Sequence, residues 1–474
     1  MVGAPPGVIV VGAGLAGLAA AVELAGEGLP VTVLEARPHA GGATYSAADG
    51  RLDLPVDNGQ HVVLRCCSYY LDFLRRIGAR DAVWMQRSLD VPVLDEVGRE
   101  ARLRAAPLPA PLHLVPSLLA YRHCSRPARL RILRAAAAIQ RLGETERLQA
   151  DAVTFAQWLH DRGQQDEEVA RFWELILLPT CNAYAGEVSA ALALNVLRMG
   201  FFEDRRAADI GAPVLGLSEA HVDPAVAWLR ARRAQVRLRA RVATVEPGEG
   251  GALVRLADGE TLVGLAVLAV PHDRLAGLLP PAWAQERWLA PALGLPTAPI
   301  VNVTLRFDRP VTETDFLACL DPETQWVFNT GRLRDDPVLD GRVLTVSLSA
   351  ARDALELPER ALVERTVAAL RRVLLSAREA RLVTWRVRKE PHATFVGRPG
   401  CEHARPGPVT PAPGVYLAGA WTATGWPATM ESAVRSGVAA ARQLLRDLRV
   451  QGAPMRERER GGGRRGTRPQ ARRE

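Results

Sequence analysis

The chain runs to 474 residues, 48% hydrophobic and 24% charged, which suits two or three globular domains and excludes a disordered or fibrous protein. Its formal charge of +8 invites a nucleic-acid partner, but residues 456–474 alone hold eight Arg against three Glu, a net of +5. That Gly/Arg tail cannot bury a core and reads as a disordered, solvated end, so no nucleic-acid partner is expected.

The first apolar run, Val8–Val11, leads into Gly12-Ala13-Gly14-Leu15-Ala16-Gly17 and the apolar stretch Leu18–Leu24. In such a strand–turn–helix, Gly12 permits the tight turn, Gly14 lets backbone approach a pyrophosphate, and Gly17 lets helix and strand pack closely. A second strand, Val31–Leu34, ends in Glu35, eighteen residues after Gly17, where a carboxylate grips ribose hydroxyls. The first apolar stretch is itself this strand, with no basic leader or cleavage site, so a cytoplasmic protein without a signal peptide is expected.

A helix is expected around Ser68–Ile77, and short strands over 90–105 with a turn at Glu96-Val97-Gly98. Residues 110–205 read as helical, with Thr154 and Gln157 spaced as a capping box before Phe155, Trp158 and Leu159. Pro107–Tyr121 is too short and too proline-broken to span a bilayer. With Arg122, Arg126, Arg129, Arg131 and Arg134 behind it, it suits either peripheral docking on anionic lipid at the inner face of a plasma membrane or an ordinary helix pair with a solvated face. A helix over 222–233 precedes a β-meander: Gln235–Val245, a hairpin at Gly248–Gly251, Leu253–Leu256 and Leu262–Val270. Residues 299–308, 342–349 and 380–388 read as strands, and 358–376 as a helix. The six cysteines (Cys66, Cys67, Cys124, Cys181, Cys319, Cys401) show no CxxC pair and no metal spacing, so reduced thiols and no metal are expected.

The chain then returns with strand Val415–Leu417, Gly419, Trp421, Trp426 and a helix start at Met430. A nicotinamide enzyme needs only the first glycine segment; one with both looks like a flavoprotein holding FAD from end to end. No cysteine follows Cys401, which points to noncovalent FAD. The fold expected is α/β: a Rossmann-like cofactor domain (1–85, 206–297, 404–450) interleaved with a mixed helix-and-sheet substrate domain (86–205, 298–403), then the tail 451–474.

These residues resemble the FAD-dependent amine oxidase and phytoene desaturase superfamily. The marks are the glycine motif with Glu35, then Gly41-Gly42, Asp57-Asn58-Gly59-Gln60-His61, Leu268-Ala269-Val270-Pro271, and the closing Gly419-to-Gly437 segment. Within it the chain is most similar to the squalene-associated branch, the hydroxysqualene dehydroxylases, through Leu217-Ser218-Glu219, Ile300-Val301-Asn302, Gln325-Trp326-Val327-Phe328 and Trp421–Glu431. The resemblance implies an FAD contact set of Gly12, Gly14, Leu15, Ala16, Gly17, Glu35, Ala36, Arg37, Gly41, Gly42, Gly59, Val242, Gly419, Ala420, Thr429 and Met430. It implies reductive loss of a hydroxyl from hydroxysqualene or another long apolar isoprenoid, driven by a separate electron donor. His61 and Asp57 are candidate acids, with His221 and His272 behind them; Trp326, Phe328, Trp421 and Trp426 are candidate substrate-lining side chains. The alternatives are a carotenoid- or phytoene-type desaturase, a non-catalytic FAD-binding paralogue, or an amine oxidase of the same fold, although amine oxidases place a lysine where Asn302 stands. Two positions depart from the family pattern: Ala43 replaces an arginine, with Arg37 nearby to compensate, and Ala420 replaces an acid.

Overall fold

A computed structural model describes residues 6–450; the expected basic tail lies outside them. Among the described residues, two seven-stranded sheets organise the chain. The first starts from Val8–Val11 and Val31–Leu34, whose valine, isoleucine and leucine side chains are buried as a parallel strand covered on both faces requires. They pair in parallel, Val8 opposite Val31, and the sheet extends to Gln235–Arg237 on one side and to Thr261–Leu268 and Val415–Leu417 on the other. Thr261–Leu268 serves twice. Leu265–Leu268 lies in the parallel sheet, while Thr261–Gly264 pairs antiparallel with Gly251–Leu256, which hairpins to Val242–Gly248.

Helix Leu15–Gly26 lies between this sheet and the closing helix Met430–Val450. It is buried almost all round, as a helix covered on two sides should be. At Gly437 the two helices meet backbone to backbone: a Cβ there would overlap the Ala16 carbonyl oxygen and lie 2.9 Å from the Ala20 nitrogen. Tyr416 of the last strand donates to Asp447 of the closing helix at 2.6 Å. Chain ends some four hundred residues apart thus become one layer.

The second sheet runs, in spatial order, Leu382–Phe395, Thr297–Phe307, Val343–Ser349, Trp326–Asn329, Phe316–Cys319, Asp90–Leu94, Glu100–Arg104. Period-two alternation sorts its side chains. Val301, Val303 and Leu305 with Leu344, Val346 and Leu348 pack under Leu362, Val367 and Leu370 of helix Glu359–Val373. On the other face Phe316 and Phe328 join a core with Trp173 and Leu192 of the helical segment and Leu268 of the first sheet.

Local differences from the sequence reading have physical causes. Gln235–Val245 is two strands, because Arg239 takes a left-handed φ of 57° and the Arg239 and Ala240 N–H groups bond back to the carbonyls of Arg37 and Glu35. Thr154 caps helix Phe155–His160 through the Gln157 N–H at 3.2 Å, but the Gln157 side chain turns to Asp161 at 2.7 Å, so only half of the capping box forms. Strands such as Ser46–Ala47, Val56–Asp57 and Val63–Leu64 are too short to show a period. The six cysteines are free thiols. No helix of the described residues is long and apolar enough to cross a membrane.

Candidate functional site

The three glycines of the first turn differ in what a side chain would meet. At Gly12 (φ 106°) a Cβ would sit 2.5 Å from the Ala269 carbonyl oxygen, and at Gly17 it would overlap the Gly12 carbonyl, so both are small for packing within the protein. At Gly14 the nearest atom is the Gly42 Cα at 3.9 Å. Nothing of the protein fills that space. Gly14 is also the N-cap of helix Leu15–Gly26, which has no side-chain cap and no acid in its first turn. The first amides, at Leu15, Ala16 and Gly17, therefore lack side-chain acceptors at the positive end of a helix, a cradle that fits a pyrophosphate.

Around this cradle the loop is tightly tied. Glu35 accepts the Ala13 N–H at 3.0 Å on one oxygen and the Arg37 N–H at 2.8 Å on the other. Each oxygen keeps a lone pair for a ribose hydroxyl. Gly41 donates to the Ala13 carbonyl at 2.8 Å, and Gly42 takes a left-handed φ of 59° against Gly14. Arg37 reaches across to the Gly42 carbonyl at 3.1 Å, bridging the rim beside exposed Ala36 and Ala43. Val242 is buried two residues beyond the Ala240 bond to Glu35.

The far end is built on the closing helix. Thr429 caps it by accepting the Ser432 N–H at 3.2 Å, Ser432 donates to the Ala420 carbonyl at 2.9 Å, and Ser436 accepts the Gly419 N–H at 2.8 Å. Gly419 and Ala420 thus rest on the first turns, where the Met430 and Glu431 amides have no intrahelical partner. Such a helix start stabilises negative charge on a ring system. Trp421, expected along a substrate path, donates its indole N–H to the Val270 carbonyl at 2.9 Å and closes its ring over Gly419. Trp426 is buried, with the Arg435 guanidinium 5.0 Å over its ring.

Two further residues hold this end: Arg405, which the sequence reading missed, and Glu431, read there only as part of the helix start. Arg405, with a fully buried side chain, donates to the carbonyls of Ala420, Trp421, Thr422 and Trp426 and to the Thr424 hydroxyl. Glu431 accepts the Tyr69 and Tyr70 N–H groups at 3.2 and 2.8 Å and Arg435 at 2.6 Å, so it caps helix Ser68–Arg76 from the closing helix. Burial pushes its pKa up against those donors.

Between the two ends, the 43–61 segment meets the second sheet. Asp49, Asp53 and Asp57 pair with Arg386, Arg306 and Arg334 in turn. Asp57 also accepts the Ser46 hydroxyl at 2.6 Å and the Leu217 N–H at 3.0 Å. With both oxygens engaged, Asp57 is an anchor, contrary to its expected place as an acid. Past it, Gln60 donates its N–H to the Asn302 Oδ1 at 3.1 Å, and a Cβ on Gly59 would lie 3.1 Å from the Asn302 Nδ2. The His61 Nδ1 lies 2.7 Å from the Gly59 carbonyl, which leaves Nε2 to face other groups. Desolvation lowers the His61 pKa, and the Asp57 charge opposes that. His221 is wholly buried, 3.1 Å from the Tyr70 hydroxyl, and desolvation holds its pKa at about 3. His272 is tied by Nε2 to the Leu295 carbonyl at 2.9 Å.

Asn302 is in register with Ser347 and, one strand further, Trp326. Their side chains share a face, with Asn302 and Trp326 about 10 Å apart across two strand spacings. Trp326 and Phe328 stack with centroids 6.1 Å apart, and Phe316 lies 6.2 Å from each.

Two uncapped or loop-supporting helix starts, one from each end of the chain, fit the two ends of FAD; by class the protein is a flavin-dependent oxidoreductase. It belongs to the flavin containing amine oxidoreductase family, whose profile matches residues 15–445. It is 30% identical to a hydroxysqualene dehydroxylase of Sinorhizobium fredii, over 92% of this chain and 98% of that one. Identity to the 15-cis-phytoene desaturase of Solanum lycopersicum is 24%, over 94% of this chain and 79% of that one. In fold it is similar to a putrescine oxidase variant, with TM-score 0.71 and 18% identity over 93% of this chain and 99% of that one.

Proposed function

We propose that the protein removes the hydroxyl of hydroxysqualene, or of another long apolar isoprenoid alcohol, to give the hydrocarbon. The proton and the departing hydroxyl leave as water, and a hydride takes the vacated allylic carbon. Reduced FAD supplies that hydride when bound, after a separate donor has provided two electrons. The observation that carries this reading is Asn302: buried, uncharged and bonded to Gln60, it leaves no place for a lysine, and its neighbours along the sheet are Ser347 and the Trp326–Phe328 pair. Aromatic faces suit a polyene and a transient allylic cation. The similarity to hydroxysqualene dehydroxylases over nearly their whole length supports the same substrate class.

The chain's own residues orient, exclude water and handle the proton. Asn302 and the three aspartate–arginine pairs hold the Gly59–His61 turn against the second sheet. His61 Nε2 is the position from which a proton is given to the leaving hydroxyl: burial makes the imidazolium a stronger acid, and Asp57 favours loading it. Residues 1–85, 206–297 and 404–450 are assigned to FAD, and 86–205 with 298–403 to substrate. FAD is held noncovalently, because Cys401, the last cysteine, is buried with its thiol turned to Asp151.

The test is a single anaerobic turnover with flavin reduced beforehand. Hydroxysqualene should become squalene with one flavin reoxidised per product. Turnover of phytoene or of a polyamine, with hydroxysqualene untouched, overturns the assignment.

A further inference from the structure

Residues 105–143 hold six arginines and no carboxylate. They form the turn Leu112–Leu114, the helix Val115–Ala120 and the helix Arg126–Arg141. Large apolar side chains face outward here: Leu108 is 41% exposed, Leu112 54%, Leu119 49% and Leu130 52%. The longer helix already has its core stripe, Ala128, Ile132, Ala135 and Ile139. At 100° per residue, Arg126, Leu130, Arg134 and Arg141 fall within an arc of roughly 80° on the opposite side. Leu130 therefore sits in the middle of the basic face, where a merely solvated helix would carry a polar residue.

The arginines divide by partner. Arg129 donates to the carbonyls of Leu119 and Cys124 at 2.7 and 2.8 Å, which locks the short helix beside the long one. Arg131 pairs with Glu168. Among the described residues, Arg122, Arg126 and Arg134 are exposed and have no ion-pair partner.

We propose that this face, led by Leu112, Leu119, Leu130, Arg122, Arg126 and Arg134, docks the protein on an anionic lipid bilayer. The leucines enter the acyl boundary while the guanidinium groups stay at the phosphates. Charge complementarity selects the lipid: the segment carries no acid of its own, the carboxylates packed against it, Glu167 and Glu168, are taken up by Ser125 and Arg131, and the remaining arginines around apolar centres match headgroup phosphate over hydrocarbon. Docking goes beyond the reaction proposed above, and its readout is binding, so failure of one leaves the other standing.

The test uses the full-length, flavin-loaded protein with vesicles of phosphatidylglycerol and phosphatidylcholine, against phosphatidylcholine alone, in co-sedimentation. The protein should partition to the anionic vesicles and be released by salt. The triple variant Arg122→Gln, Arg126→Gln, Arg134→Gln should lose partitioning on the order of 100-fold at low salt, since each basic side chain near the surface contributes about fivefold. Leu112→Trp should show a blue shift of its added emission with anionic vesicles only. The arginines of 456–474 remain in every variant, so wild-type partitioning by the triple variant overturns the proposal. So does concentration-dependent dimerisation without lipid that Leu119→Ser abolishes, which would assign the face to a second copy of the chain.

Discussion

Replacing Arg405 with alanine should detach the loop after Gly419 from its support. The guanidinium reaches the carbonyl oxygens of Thr422 at 2.5 Å, Trp426 at 2.9 Å, Ala420 at 3.2 Å and Trp421 at 3.3 Å. The Ala420 and Thr422 carbonyls keep a second donor, the Ser432 hydroxyl and the Thr424 N–H, so two acceptors, the carbonyls of Trp421 and Trp426, are bared in a dry site. Each unsatisfied acceptor costs about 1–3 kcal/mol. The loop relaxes toward water, and the total settles near the 3–5 kcal/mol, roughly, that breaking a buried charge network costs. If the loop yields before the fold, that energy appears as a rise in the FAD dissociation constant of about 100-fold or more. Titration of apoprotein with FAD, read by flavin fluorescence, measures it, and hydrogen exchange over 419–429 reports the loop directly. Arg405→Lys should fall between, because one compact ammonium cannot span carbonyls arranged around a planar fork. An alanine variant that binds FAD within threefold of wild type, with 419–429 equally protected, would refute the reasoning.

The pKa of His221, held at about 3 against 6.5, makes stability full above pH 6.5 and lost as pH falls, because only the unfolded chain takes up that proton. The loss is about 1.4 kcal/mol by pH 5.5, and His221→Asn should remove it in urea unfolding at pH 7.5 and 5.5; an unchanged pH slope would place the titration elsewhere, with His61 the next group to examine. Gly437→Ala forces a methyl into the Ala16 carbonyl and should cost about 1–3 kcal/mol, read as a lower Tm and faster FAD loss on dilution. A wild-type Tm would show that the two helices part freely. Glu35→Gln should weaken FAD by about 1.5–3 kcal/mol, since an amide oxygen and NH2 cannot accept both loop amides; unchanged affinity would put the carboxylate out of the cofactor's reach.

The first glycine turn is legible in the sequence because each glycine has a local cause. The second segment is legible as strand, turn and helix, but nothing local says that Gly437 meets Ala16. Asp57 illustrates the limit more sharply. An acid in a cofactor-side loop reads as chemistry until Arg334, 277 residues away, is seen to occupy it. Arg405 was hidden for the opposite reason, as one arginine in an arginine-rich chain with no neighbour to mark it. For Trp421, aromatic character says what a ring prefers to touch, while the Val270 carbonyl, unseen in the sequence, sets which way its indole points. The interleaving of two sheets was inferable from alternating strand groups; the row that sets Trp326 beside Ser347 and Asn302 depends on register, which only pairing reveals.

Because Val415–Leu417 and Met430–Val450 complete the layer begun by Leu15–Gly26, the cofactor site cannot form until those residues have been synthesised. Until those residues leave the ribosome, Thr261–Leu268 presents an unpaired strand edge and the alanine-rich first helix an uncovered apolar side. Both invite association with other nascent chains. FAD arriving before then finds a phosphate cradle with no opposite end. A chain stalled before residue 415 should therefore expose that edge and that helix side and lack one end of the cofactor site.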